Sequence, residues 1–231
     1  MSYRQHQYLA YAAIAAIWLI YLADLAIDIR SMFDEGFWQP MAGLALWRVY
    51  FASAALLLFP LVSGGLYVLN RGLKQLWLCL LLFFTFSTLC IYLQSSYFFF
   101  ARASTWYASA SGSERVMLAG LLAEYSSFKN LFGAAFLAVV ALASLWLAAV
   151  VALGKTVFPP YFALLSPLTG TLLSILLKNL APVVHTAAYP LILPSFWMAM
   201  LMTVYLLYVL RLEQNPHFPA SGAHRIHKKA T

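Results

Sequence analysis

The chain has 231 residues, of which 64% belong to the hydrophobic set AVILMFWYC and only 9% are charged. A soluble domain carries about 25% charged residues, so this shortage of charge and a mean hydropathy of +0.82 exclude a water-soluble globule. We interpret the formal net charge of +7 as a sign of the chain's orientation in a membrane rather than of a polyanionic partner.

Six long apolar runs dominate the sequence. A bilayer core about 30 Å thick requires roughly 20 apolar residues in a helix that rises about 1.5 Å per residue. The runs therefore predict an all-α polytopic transmembrane helical bundle, with residues 1–211 as its single domain. The six predicted spans cover residues 8–27, 46–69, 75–99, 130–153, 161–178 and 194–211.

The apolar runs are continuous, which favours helices over a transmembrane barrel. A barrel strand alternates apolar and polar residues over about ten positions, whereas Leu76–Phe84 is apolar throughout. The first span could also be a signal peptide. Its apolar run of about 20 residues is longer than the 7–15 residues of a signal core, so we expect it to be retained.

The distribution of Lys and Arg predicts the orientation. With six spans both tails share one side, and that side carries eight of the 14 Lys and Arg residues on the smaller share of connecting chain: Arg4, Arg71, Lys74, Lys155, Arg211, Arg225, Lys228 and Lys229. The positive-inside rule then places both tails in the cytoplasm and the protein in the cytoplasmic (inner) membrane. Residues 212–231 are predicted to be a disordered basic tail that contacts anionic lipid headgroups and binds no nucleic acid.

Small residues recur along the fourth span at spacings of three, four or seven, so they share one helix face. They are Ala134, Ala138, Ala141, Ala148 and Ala152. Small residues let neighbouring helix backbones approach closely. The pattern predicts a centrally packed helix; the alternative is a contact face for a homodimer or for another membrane protein.

Prolines cluster between residues 159 and 194. Pro167 and Gly170 lie inside the fifth predicted span and predict a hinge, because a proline removes a backbone donor and crowds the preceding turn. The apolar segment 181–193 is too short to span and suits either a re-entrant segment or a loop on the lipid surface. Broken helices mark substrate sites in many transporters.

The connection between the third and fourth spans contains a helix-start signal. Ser111 and Glu114 match a capping box. The apolar residues behind it share one face, which predicts a short amphipathic helix lying on the outer membrane surface.

Two ionisable residues lie inside the predicted spans near their outer ends. Such residues are expensive in lipid and are functional candidates by default. Asp24 and Arg48 come at matching depth on consecutive helices, and Asp28 lies one turn beyond Asp24. They predict either a structural ion pair or a proton or cation site in which Asp24 changes its charge.

Other polar residues are predicted at the same outer depth, chiefly Gln94, Asn179 and His185. His185 is the one histidine outside the two tails. Together with Asp24, Asp28 and Arg48 these residues predict a polar cavity in the outward half of the bundle, which could serve as a ligand or proton site.

No motif predicts a cofactor, a metal or an enzyme. Paired intramembrane histidines for haem are lacking, and three or four clustered zinc ligands are not supplied by the spacing. The chain has no Gly-x-Ser-x-Gly elbow, P-loop or dinucleotide fingerprint. A serine–histidine pair of Ser166 and His185 is the one arrangement that would fit nucleophilic catalysis.

Three stretches carry a resemblance to a known family. They are Leu22-Ala23-Asp24-Leu25, the tract Phe158-Pro159-Pro160-Tyr161-Phe162-Ala163-Leu164-Leu165-Ser166-Pro167, and Leu193-Pro194-Ser195-Phe196. The pattern resembles an uncharacterised family of six-span prokaryotic membrane proteins, a domain of unknown function. The resemblance implies six spans and draws attention to Asp24 and Pro167, and it implies no activity.

These observations predict a small transporter or ligand-binding protein with an outward polar cavity. The alternative is a structural or assembly partner of another membrane protein, without a ligand of its own. An intramembrane enzyme is a third reading that no motif supports.

Overall fold

The structure is a computed structural model that describes residues 2–33 and 42–215. Within those ranges all regular structure is helical. The α-helices are α1 (Tyr3–Phe33), α2 (Ala42–Leu73), α3 (Leu76–Ser109), α4 (Gly112–Ala152), α5 (Pro167–Leu180), α6 (Pro182–Ile192) and α7 (Pro194–Gln214), and a short 3-10 helix, Pro160–Leu165, precedes α5.

Four of the described helices contain a stretch long and apolar enough to cross a bilayer. The stretches are Tyr3–Ala23 in α1, Ser53–Leu73 in α2, Leu131–Ala152 in α4 and Pro194–Gln214 in α7. A shorter apolar stretch, Leu76–Ile91, begins α3. The prediction of an all-helical membrane protein is thereby confirmed at this level.

The predicted fifth span, 161–178, is wrong as a single helix. Its residues divide between the 3-10 helix and α5, and Pro167 is the first residue of α5. Proline suits the first turn of a helix, where its missing N–H has no partner to lose. The 14 residues of α5 extend about 21 Å, which is less than the thickness of the bilayer core.

The predicted surface helix between the third and fourth spans is also wrong. Ser111 does occupy the N-cap position, yet α4 continues from Gly112 to Ala152 without interruption. Its 41 residues extend about 60 Å, twice the thickness of a bilayer core. Single glycines such as Gly120 cost only about 1 kcal/mol in a helix, which is too little to end one.

Helix α7 lies at the centre of the packing. It contacts α1, α2, α5, α6 and the 3-10 helix, while α2, α3 and α4 follow one another in a row. Helices α5 and α6 form a hairpin that bridges α4 and α7. Because Arg71 contacts both His6 and Glu213, the start of α1 and the ends of α2 and α7 lie together. We call this the tail end of the bundle, and the opposite end the far end.

The small-residue stripe of α4 faces away from the bundle. Ala134, Ala138 and Ala152 are exposed, and Ala141 and Ala148 are half-buried. The buried face of α4 instead carries larger residues, among them Phe136, Val140 and Leu147. The expectation of a central packing face is therefore wrong within one chain, because equal spacing shows that residues share a face but not which way that face turns.

Glycines allow the closest helix contacts in the core. Gly65 on α2 lies against Ala13 on α1, and a methyl group added at Gly65 would collide with the Cβ of Ala13. Ala13 and Val62 are fully buried in the same part of the core. The α1–α2 distance is thus set by the absence of a side chain at residue 65.

The Gly65→Ala variant tests this contact. We expect a free energy of unfolding lower by about 1–3 kcal/mol, as for other overpacked cores. The matched control is Gly120→Ala on the exposed side of α4, where an added methyl group meets nothing. That control should leave stability unchanged or raise it by up to about 1 kcal/mol. Equal thermal unfolding of the two variants in detergent would contradict the proposed close contact.

Candidate functional site

The chain between α4 and α5 enters the bundle without forming an α-helix. After Leu153 the chain continues to Phe158, whose ring is buried, and then forms the 3-10 helix. The buried Ser166 follows directly before α5 begins. The ring of Phe158 stacks on that of Tyr205 on α7, with centroids 4.2 Å apart. We call residues 160–166 the break, because they interrupt the fifth apolar run inside the bundle.

Side chains of neighbouring helices satisfy the backbone at the break. Ser144 on α4 accepts a hydrogen bond from the backbone N–H of Leu168, at 3.2 Å. The hydroxyl of Tyr205 donates to the backbone carbonyl of Phe162, at 2.9 Å. Ser144 and Tyr205 are buried. The hydrogen-bonding groups that a continuous helix would pair with its own backbone are here paired across helices.

The end of α6 is held in the same way. Tyr21 on α1 donates to the carbonyl of Pro190 at 3.0 Å, and the indole N–H of Trp197 donates to the carbonyl of Leu191 at 2.9 Å. These carbonyls lie in the last turn of α6, where the helix itself offers no partner. Trp197 also packs on the buried Gly170, where a methyl group would collide with the indole ring.

The predicted hinge residues therefore have specific places. Pro167 begins α5 directly after the break, and Gly170 gives α7 room to approach α5 one turn later. A small cavity lies beside Pro167, where α3, α4, α5 and α7 meet, and Thr85 and Ser144 are among its lining residues. Its free volume of about 10 Å³ is at the lower limit for one water molecule. In this conformation the cavity is too small for a substrate.

Most of the predicted outward cluster lies outside what the structure describes. The backbones of Asp24 and Asp28 belong to α1, that of Arg48 to α2 and that of Gln94 to α3, but their side chains are not among the described ones. The proposed pairing of Asp24 with Arg48 stays a prediction. Asn179 is exposed near the end of α5, and its amide N–H donates to the carbonyl of Ile175 on its own helix, at 2.8 Å.

His185 pairs with a serine other than the one the sequence suggested. Its Nε2 lies 3.2 Å from the hydroxyl oxygen of Ser174, which links α6 to α5 within the hairpin. Ser166, the serine named from the sequence, is buried at the N-terminus of α5. The contact of His185 with Ser174 stabilises the hairpin and leaves the suggested pair of Ser166 and His185 without support.

A charged cluster at the tail end was not anticipated. Arg71 Nη1 lies 3.1 Å from Glu213 Oε1 and reaches both ring nitrogens of His6, at 2.6 Å from Nδ1 and 2.9 Å from Nε2, while His6 Nδ1 lies 3.5 Å from Glu213 Oε2. An arginine N–H donates only to an unprotonated ring nitrogen. The three side chains therefore join the ends of α1, α2 and α7 around a neutral imidazole.

The chemistry available at these places is limited. In residues 2–33 and 42–215, no three His, Cys, Asp or Glu side chains are grouped closely enough to hold a metal ion. Cys79 and Cys90 are free, buried thiols on α3. What distinguishes the described interior is therefore the backbone of the break rather than a set of reactive side chains.

Comparison with known proteins finds no relative: no family model matches the chain, and no curated protein or solved structure is significantly similar to it. The resemblance to the six-span family stays a prediction. What the chain does has to follow from its own geometry.

The Ser144→Ala variant tests the capping of α5. Removing the hydroxyl leaves the Leu168 N–H without its acceptor, and we expect a free energy of unfolding lower by about 1 kcal/mol. Hydrogen exchange at the Leu168 amide should accelerate. The control is Ser87→Ala on α3, because the Ser87 hydroxyl only donates to the carbonyl of Phe83 on its own helix. Unchanged exchange at Leu168 in Ser144→Ala would show that the hydroxyl does not cap α5.

Proposed function

We propose that the chain crosses the membrane six times, with both tails in the cytoplasm and the interrupted run 160–180 as the fifth crossing. Laid end to end, the six residues of the 3-10 helix and the 14 of α5 extend about 33 Å at rises of about 2.0 and 1.5 Å per residue. That length matches a bilayer core of about 30 Å.

The contacts along α7 support a crossing of this kind. Phe158 and Phe162 stack on Tyr205, whereas Gly170 packs on Trp197. As residue numbers rise along the interrupted run, those of its partners on α7 fall. The run therefore proceeds antiparallel to α7, from the tail end toward the far end. Since α7 is itself long enough to span, the antiparallel course of the interrupted run beside it supports the proposal that this run crosses as well.

The orientation rests on charge. The cluster of His6, Arg71 and Glu213 brings both described chain ends to the tail end of the bundle. That end also carries the exposed cations Lys74 and Lys155. Because basic residues favour the cytoplasmic side, we assign the tail end to the cytoplasm and the membrane to the inner, cytoplasmic one.

Within this topology we propose a small transporter or ligand-binding protein, and the break is the observation that carries the proposal. Non-helical backbone at membrane depth is tolerated only where protein buries it or where it lines a water-filled cavity. Transporters place such discontinuous helices at their substrate sites. Here Pro167 starts a helix inside the bundle, and the outward cavity proposed around Asp24, Arg48 and Gln94 would lie between the break and the far end.

A second function is favoured by the outward stripe of α4. Ala134, Ala138 and Ala152 are exposed on one face, and small residues on an unpartnered helix suit close packing with another membrane helix. In this alternative the chain is a structural or assembly partner, or a homodimer, with no ligand. The closely packed break then only shapes the bundle.

Cysteine accessibility at the break separates the two functions. In a background with Cys79 and Cys90 replaced by alanine, Ser166→Cys is treated with a membrane-impermeant maleimide from either side of the membrane. A transporter that alternates between open states admits water to this position from both sides, so we expect slow labelling from each, because only a hydrated thiol ionises and reacts.

The matched control is Ala199→Cys, a fully buried position on α7 between two residues that line the cavity beside Pro167. It lies in an unbroken helix and should remain unlabelled from both sides. If Ser166→Cys is protected as completely as Ala199→Cys, the break does not open. The transporter proposal then fails in favour of the structural partner.

A further inference from the structure

A half-exposed tryptophan pair marks the surface between α3 and α4 near the tail end. Trp77 and Trp146 have ring centroids 4.1 Å apart, and they are 48% and 41% exposed. Tryptophan is enriched at the boundary between lipid tails and headgroups, where its ring is apolar and its N–H is hydrated. The pair therefore indicates the level of the membrane boundary on this side of the bundle.

An apolar trough begins at this pair. Leu80 and Phe84 follow Trp77 at helical spacing on α3, and Leu142 precedes Trp146 by one turn on α4. All three are largely exposed. We call the surface formed by these five residues the tryptophan groove. It runs from the proposed cytoplasmic boundary toward the middle of the bilayer, about 10 Å along α3 from Trp77 to Phe84, and its side chains are apolar.

Two lysines stand at the tail end of the tryptophan groove. Lys74 precedes α3 and Lys155 follows α4, and both are exposed. In the described residues, neither lysine forms an ion pair, and the carboxylate at this end, Glu213 on α7, is occupied by Arg71 and His6. The groove thus ends in two cations without a protein counter-charge.

Lys74 is placed there at a conformational cost. Its φ of 53° is left-handed, and its backbone N–H closes the end of α2 on the carbonyl of Asn70. Glycine is the usual residue at such a helix end, and the chain does use one, Gly154 with φ 65°, directly before Lys155. A lysine at the equivalent turn after α2 supplies a cation where the backbone alone would favour glycine.

We propose that the tryptophan groove binds one anionic phospholipid. Its phosphate lies between Lys74 and Lys155, its ester groups lie beside Trp77 and Trp146, and its acyl chains follow the apolar trough. Charge complementarity selects an anionic headgroup, because two unpaired cations attract a phosphate that carries a net negative charge. The continuous apolar trough selects a lipid over a soluble phosphate, which would leave that surface unused.

Native mass spectrometry of the full-length protein in detergent tests this binding. The probes are phosphatidylglycerol and phosphatidylcholine with identical acyl chains, and inorganic phosphate. Near a membrane surface each lysine contributes on the order of a fivefold change in affinity, so Lys74→Gln with Lys155→Gln should bind phosphatidylglycerol about thirtyfold more weakly. The matched control, Arg4→Gln with Arg211→Gln, removes two exposed cations at the same end but on α1 and α7.

We expect the control variant, Arg4→Gln with Arg211→Gln, to bind phosphatidylglycerol with an affinity within about threefold of the parent's. Lys74→Arg with Lys155→Arg should bind phosphatidylglycerol as the parent does. That result also shows that the variant with both lysines changed to glutamine fails through lost charge and not through misfolding. Equal losses in the two glutamine variants would overturn the proposal in favour of general surface charge. Three other results would also overturn the proposal: displacement of the lipid by inorganic phosphate, equal binding of phosphatidylcholine, or a second copy of the chain in place of lipid. None of these outcomes depends on whether the protein transports a substrate.

Discussion

The cost of an unpaired backbone group in hydrocarbon governs this structure. Each N–H or C=O left without a partner in lipid costs several kcal/mol, so a chain that interrupts a helix at membrane depth has to find partners elsewhere. Here the partners come from other helices: Ser144 for the Leu168 N–H, and Tyr205 for the Phe162 carbonyl. The interrupted run is stable because α4 and α7 complete its hydrogen bonds.

The same requirement connects the fold to the proposed function. A segment held by single side-chain hydrogen bonds from two different helices can exchange those partners without unfolding a whole helix, which an unbroken span cannot do. The charged cluster of His6, Arg71 and Glu213 fixes the ends of α1, α2 and α7. In the proposed transporter, movement of α5 and the break against this fixed group is the simplest route to alternating access.

The sequence predicts the continuous helices and not what joins them. Apolar length predicts α1, α2 and α7, and Pro194 marks the start of α7 because proline suits a first helical turn. Pro167 has the same meaning, but a proline inside a long apolar run equally suits a bend. Ser144, which caps α5 by accepting from the Leu168 N–H, lies 24 residues before Leu168, and nothing in the local pattern reveals that contact. The sequence does not predict the charged cluster, because His6 and Arg71 are 65 residues apart and each has the pattern of an ordinary polar residue on the tail side. The roles predicted for Asp24, Asp28, Arg48 and Gln94 rest on side chains outside the described part of the structure.

The central claim is that residues 160–180 complete a membrane crossing despite the break. The most direct measurement labels single cysteines at Lys155, before the break, and at the exposed Asn179, near the end of α5, with an impermeant reagent in intact cells and in inverted vesicles. We expect Lys155→Cys to react only in inverted vesicles and Asn179→Cys only in intact cells. Reaction of both cysteines from the same side would show that α5 and α6 return without crossing, and would contradict the six-crossing topology.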